Sequence, residues 1–174
     1  MKMLKLSVIS LFTTLLVASC SKDSLDYFHP DVEIYIEQLK TGTYDAIALN
    51  DVNGMPHFGM DDIPLLLEHA DDMTIIPSFP LALTFPDSKL RLGECVLWTI
   101  ESIRIGRNAS LGSKLVYVGA DNYEGIYFLS DDDLRQAADS YRRWWEEYNN
   151  TPQIYWVNDP CYNDPLCGTP YMWW

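Results

Sequence analysis

The stretch from Leu90 to Ile105 limits the folds open to this chain more than any other. Leu92, Val96, Ile100 and Ile103 recur at the spacing of one helix face. Cys95, Leu97, Trp98 and Ile105 widen that stripe until the helix is apolar over most of its circumference, and Gly106 ends it. A helix of this kind is enclosed by neighbours rather than laid on a surface. The rest of the chain must therefore supply elements that cover it. Two carboxylates interrupt the apolar surface. Glu94 and Glu101 lie seven residues apart, on one side of the helix, and Glu101 precedes Arg104 by three, a spacing that allows an ion pair at a helix edge.

Covering elements are legible on both sides. Asp31 opens a helix whose Val32, Tyr35, Ile36 and Leu39 share a face, and Thr41-Gly42 closes it. Tyr44 to Leu49 reads as a further short helical turn, and Asn50 to Met60, rich in Gly, Asn and Pro, as loop. Asp61-Asp62 before Ile63-Pro64 form the acidic cap and first-turn proline of a helix start, with a stop at Asp71-Asp72. Thr74 to Pro86 is a proline-punctuated connection. Leu115–Val118 and Ile126–Leu129 are short β-prone runs, predicted to pair as a hairpin across a loop from Gly119 to Gly125. Ser130-Asp131-Asp132-Asp133 has the Ser-x-x-acid spacing of a capping box. The helix it begins places Leu134, Ala138, Tyr141, Trp145 and Tyr148 on one face, flanked by Ala137 and Trp144, and Thr151-Pro152 breaks it. This helix is expected to dock on Leu90–Ile105 through Tyr141 and Trp145. Gln153 to Val157 reads as a last strand before a Pro-rich, aromatic tail.

The first twenty residues belong to a different kind of segment. Lys2 and Lys5 flank the start of an uncharged, mainly apolar run from Leu6 to Val17, which is short for a bilayer span. Small residues follow, in the layout of a secretory signal peptide. Val17-Ala18-Ser19-Cys20 resembles the lipobox of bacterial lipoproteins. The resemblance implies cleavage before Cys20, acylation of its sulfur and then its amine, and attachment to a membrane without spanning it. Several acyl chains hold a protein stably because each buried methylene contributes about 0.8 kcal/mol. The chain then divides into a signal peptide (1–19), a lipidated N-terminus and polar tether (20–30) and a single globular domain (31–174). Lys22-Asp23 resembles a shortened form of the Lys-acidic-acidic export tag of Bacteroidetes surface lipoproteins, with Ser24 in place of the second acid. The expected address is the bacterial cell envelope, at the outer membrane, on its periplasmic or surface face.

Composition narrows the partners. Without residues 1–19, 155 residues remain, enough for one domain with its own core. The formal net charge of −13 becomes −15, because Lys2 and Lys5 leave with the signal. So acidic a body repels phosphate backbones, and nucleic acid is not an expected partner. Cys161 and Cys167 bracket a tight, Pro-containing loop that a disulfide can close in an oxidising compartment. Cys95, inside the apolar helix, reads as a small buried hydrophobe. No pair of cysteines or histidines has metal-site spacing, and neither a metal nor a cofactor is expected. Asp51-Val52-Asn53-Gly54 echoes part of a calcium loop without its further acidic ligands, and Asp131 to Asp133 reads as a charged helix start. His69, near a helix C-terminus, suits the helix dipole.

Acid-capped Ile-Pro-Leu-Leu-Leu-Glu, a proline loop and Leu-Gly-Glu-Cys-Val-Leu-Trp-Thr-Ile-Glu-Ser-Ile-Arg resemble the helix pairs of HEAT-like modules. With the Tyr141-x-x-Trp144-Trp145 helix, they are similar to a family of uncharacterised Bacteroides-type lipoproteins. The resemblance implies a mainly α fold of HEAT-like packing with a small β-hairpin and an irregular C-terminal tail, and it implies no activity. Acid–base chemistry needs two carboxylates on one site, for which Glu94 and Glu101 are the candidates. Cys95 has no histidine in its helical neighbourhood, and Gly-x-Ser-x-Gly is absent. No catalytic residue is assigned. Trp144, Trp156, Trp173 and Trp174 form a candidate binding surface, since Trp is enriched at binding hot spots. The expected function is a lipid-anchored, non-catalytic envelope module that binds another envelope protein or a glycan. The alternative is an envelope hydrolase acting on glycan or peptide.

Overall fold

Every residue from Leu92 to Ser102 is buried, within a helix α3 that runs Leu92–Ile105. The computed structural model describes residues 24–44, 55–79, 89–106, 114–119, 129–149 and 161–173. Gly93 allows the first turn of α3 to meet the backbone of residues 70–72. Its N–H donates to the Asp72 carbonyl at 2.7 Å, and a Cβ at this position would run into the Ala70 carbonyl. The helix α2 (Ile63–Glu68) that leads into this turn packs on α3 and carries Pro64 in its first turn. Its acidic start works differently from the expectation. Residues Met60–Asp62 form a 3₁₀ turn, and the Asp62 carboxylate accepts from the Gly59 N–H at 2.7 Å, capping that turn rather than α2. Helix α2 also ends at Glu68, before Asp71-Asp72, with His69 as its C-cap.

Helix α1 (Val32–Thr41) covers another side, with the limits and buried face expected of it. Asp31 accepts from the Ile34 N–H at 3.0 Å, Gly42 closes the helix in the left-handed region at φ 68°, and Val32, Tyr35, Ile36 and Leu39 are buried. The Tyr35 hydroxyl lies 3.0 Å from Thr99 Oγ1, which ties α1 to α3. His69 Nε2 sits 3.1 Å from Glu33 Oε1, so this histidine has a side-chain partner on α1 as well as a helix end. Residues 24–30 lie against the body, although their polarity suggests a tether. Leu25 packs on the core and the Tyr27 carbonyl accepts from the His57 N–H at 2.9 Å.

Helix α4 (Asp131–Tyr148) starts in the expected capping box, with Ser130 and Asp133 satisfying each other's backbone N–H. It packs on both α2 and α3 and buries Leu134, Ala137, Ala138, Tyr141 and Trp144. The two tryptophans exchange the places expected of them. Trp144 is only 8% exposed and its indole N–H donates to the Tyr162 carbonyl at 3.0 Å, whereas Trp145 is partly buried at the edge of the core. The cause is the Cys161–Cys167 loop, which closes over the Trp144 side of α4. Helical spacing cannot register a covering segment that comes from elsewhere in the chain.

The strands carry the other correction. Strand β1 (Leu115–Tyr117) pairs antiparallel with β2 (Tyr171–Trp173), in the register Leu115↔Trp173, Val116↔Met172 and Tyr117↔Tyr171. Among the described residues the fold is mainly α with this small two-stranded sheet, and the strand found beside β1 comes from the C-terminal tail, which was expected to be irregular. Of the run expected to pair with β1, Leu129 is buried and 126–128 lie outside the described residues. Also outside them are residues 45–49 of the expected helical turn, the Asp51–Gly54 echo of a calcium loop, and Gln153–Val157. Asp133 holds the sheet on α4: its carboxylate accepts from Tyr117 Oη at 2.8 Å and Tyr171 Oη at 3.1 Å.

Truncation should separate the two tryptophans. Trp144→Ala is expected to cost about 3–5 kcal/mol, as for other buried aromatic rings, and Trp145→Ala less than half of that. Urea unfolding of both variants at unchanged m-value is the measurement. Equal losses, or a larger loss at Trp145, would contradict the burial of Trp144.

Candidate functional site

The chemistry of the described residues collects around the two carboxylates of α3. Glu94 and Lys114 form a buried pair at 2.7 Å, their side chains 4% and 5% exposed. The second Glu94 oxygen accepts from the Leu115 N–H at 3.0 Å, so this carboxylate fixes the first residue of β1 to the first turn of α3. One helical stretch further on, Glu101 is gripped by Arg104 through Nε, at 3.0 Å, and through Nη2. Tyr141 of α4 donates its hydroxyl hydrogen to Glu101 Oε2 at 2.9 Å and accepts one from Trp173 Nε1 at 2.8 Å.

The protonation states follow from these partners. Burial, and then the Glu101 charge, push the Tyr141 phenol well above its usual value, so Tyr141 stays a donor. Burial works against the charge on Arg104, but the Glu101 hydrogen bonds outweigh it and raise the guanidinium further. Burial, followed by the charge on Glu94, drives the Cys95 thiol well above its usual value. A thiol held protonated is a poor nucleophile.

A cavity of about 420 Å³ opens beside this network, lined by Glu101, Arg104, Asn163, Asp164, Met172 and Trp173 among others. The Cys161–Cys167 disulfide, with Cα atoms 5.1 Å apart, closes the loop that presents Asn163 and Asp164. Within that loop Asp164 donates its N–H to the Cys161 carbonyl at 3.1 Å and accepts from the Leu166 N–H at 3.0 Å. A guanidinium has five N–H donors and the Glu101 fork engages two of them, so Arg104 has donors left for a ligand. A second cavity, of about 410 Å³, is lined by Met55, His57, Thr99 and Ser102. Its hydroxyls are engaged inside the protein: Thr99 Oγ1 donates to the Cys95 carbonyl and Ser102 Oγ to the Trp98 carbonyl, each at 3.0 Å. The Arg104 cavity differs in bringing charged side chains, Glu101, Arg104 and Asp164, to its wall.

A family model described as "Domain of unknown function (DUF4943)" matches residues 26–174. The chain belongs to this family. No curated protein and no solved structure matches it.

The residues singled out from the sequence have different fates. Cys161 and Cys167 form the expected bridge, and Cys95 is buried and free. Glu101 and Arg104 pair as their spacing suggests, while Glu94 takes Lys114, twenty residues away in sequence. Trp144 is not a surface residue. Trp173 is partly buried, with its ring centroid 4.7 Å from that of Trp98, and it borders the cavity instead of standing free at the chain end. Cys20, Trp156 and Trp174 lie outside the described residues. Asn163 and Asp164 gave no functional signal in the sequence beyond their place inside the loop between two cysteines.

The Glu94–Lys114 pair supplies a test of this arrangement. Lys114→Met leaves a buried carboxylate without its cation and should cost about 3–5 kcal/mol. Adding Glu94→Gln to that variant should restore most of the loss, because the amide oxygen still accepts from Leu115. Thermal and urea unfolding of the single and double variants measure both effects. A double variant as unstable as the single one would show that charge pairing is not the term that matters.

Proposed function

We propose that the protein is a lipid-anchored module of the bacterial cell envelope, held through Cys20 at the outer membrane, which binds a glycan in the cavity beside Arg104. The observation that carries the binding reading is the group of side chains around that cavity. Sugar hydroxyls both donate and accept, and Arg104 and Asn163 offer donors while Asn163 and Asp164 offer acceptors. Leu166, Met172 and Trp173 contribute apolar surface for a ring face, in the usual mixture of a small-ligand site. The cavity pairs one guanidinium with two carboxylates, Glu101 and Asp164, in an acidic protein. That balance favours a neutral sugar over a polyanion. A binding role also agrees with the use of the α3 carboxylates, since Glu94 and Glu101 are each engaged by a cation of the protein.

Titration of the detergent-solubilised protein with neutral envelope oligosaccharides should give saturable binding. Asn163→Ala, at an exposed position, and Arg104→Ala should each weaken it about tenfold or more, which corresponds to about 1.4 kcal/mol. Absence of saturable binding, or wild-type affinity in both variants, would overturn the glycan reading.

The anchor is tested separately. Cys20→Ala removes the only thiol available for acylation in the Val-Ala-Ser-Cys quartet. The variant should move from the membrane fraction to the soluble fraction of cells. Unchanged attachment would mean that something other than acylation of Cys20 holds the protein.

A further inference from the structure

The most exposed large apolar side chain among the described residues is Phe28, at 68%. It is held in place by several local contacts. Asp26 Oδ1 accepts from the Phe28 N–H at 2.8 Å and from the His29 N–H at 3.2 Å, which fixes the turn. The Phe28 ring stands edge-on to Tyr27, centroids 5.1 Å apart, and to His57 at 5.5 Å, and the Tyr27 and His57 rings are 4.6 Å apart. The His57 N–H donates to the Tyr27 carbonyl and locks the two segments together. The result is a three-ring knob, rigidly mounted, with its apolar tip in water.

We propose that this knob is a seat for the domain on the lipid bilayer, so that the protein rests with the Tyr27–Phe28 pole against the membrane. The inference depends on the lipid anchor at Cys20 and adds an orientation to it. Chain length supports it. From Cys20 to Ser24, where the described body begins, four residues reach at most about 14 Å. A folded domain of this size has a radius of gyration of about 15 Å, hence a diameter well beyond that reach. With Cys20 in the lipid, the pole that carries residues 24–28 is held at the bilayer and the opposite pole cannot reach it.

The chemistry also fits. Tyr and Trp concentrate at the membrane–water boundary, and Phe is among the side chains that membrane-surface segments bury just below the headgroups. Asp26 and Asp31, both exposed, flank the knob, so the surface it suits is zwitterionic and not anionic. One ring would not bind a protein to a membrane unaided. With the acyl chains already holding the protein, the ring has only to select an orientation.

The test places a nitroxide next to the knob, with Phe28 intact. His29, whose side chain is 89% exposed, is replaced in a His29→Cys variant of the lipidated protein. Cys95 is buried and Cys161 and Cys167 are joined, so the label goes to position 29. The protein is then bound to phosphatidylcholine–phosphatidylethanolamine vesicles, and collisions with oxygen and with a water-soluble nickel chelate are measured. The expected result is a several-fold loss of chelate collisions and a gain of oxygen collisions relative to the protein in detergent, both reversed by Phe28→Asp. Protein that floats with the vesicles while its label remains as chelate-accessible as in detergent would overturn the seat alone. A fall in both collision rates would mean that protein, such as a second copy, covers the knob, which also overturns the lipid assignment. Protein that fails to float would overturn the anchor reading and this inference with it.

Discussion

A helix enclosed on every side cannot leave a carboxylate without a partner, because an unpaired buried charge costs several kcal/mol. Helix α3 carries two, and the way each is satisfied ties the remaining elements together. Glu94 takes the ammonium of Lys114 and the backbone N–H of Leu115. Leu115 is paired in register with Trp173. The Trp173 indole donates to Tyr141, and Tyr141 donates to Glu101 on the same helix as Glu94. The circuit runs from α3 through both strands and α4 and back to α3. Its links are short, buried for the most part and directional, so it selects one arrangement among the many that apolar contact alone would tolerate.

The circuit also accounts for the architecture of the C-terminal region. A three-residue strand is too short to stand alone, and β2 persists because its partner is pinned to α3 and its own tyrosine is pinned to α4. Asp133 contributes twice, as the acid of the capping box and as the acceptor for Tyr117 and Tyr171. Burial of this carboxylate works against its charge, but the hydrogen bonds from Ser130, Tyr117 and Tyr171 prevail and hold its pKa below the usual value. The disulfide loop then packs over Trp144, and the space left between that loop, the end of α3 and β2 is the cavity beside Arg104.

The two ends of the described chain thus serve different surfaces. The first described residues make an aromatic knob against His57, and the last ones line a polar cavity. In the proposed reading, a membrane-tethered module that receives a soluble ligand needs both a fixed orientation and an open site, and the knob and the cavity are built from separate segments.

Much of the helical framework was legible in the sequence. The limits of α1 followed from Asp31 and Gly42, the capping box of α4 from Ser130 and Asp133, and the enclosure of α3 from apolar side chains over most of its circumference. These signals are local: a cap, a left-handed glycine or a stripe acts within a few residues, so sequence spacing contains it. The Glu101–Arg104 pair and the Cys161–Cys167 bridge were accessible for the same reason, since both close over a few residues. What only the tertiary structure decided is long-range. That β1 pairs with Tyr171–Trp173, that Glu94 pairs with Lys114, and that Trp144 is covered while Trp145 is partly open all depend on which distant segment arrives. A β-prone run of three residues carries no label for its partner, and a helical wheel shows which side chains share a face but not what will cover it. The sequence by itself determined where α1 begins and ends, where α4 begins and which helix must be central. Long-range packing chose the partners, because pairing between remote segments is set by the total burial and hydrogen bonding of the folded whole.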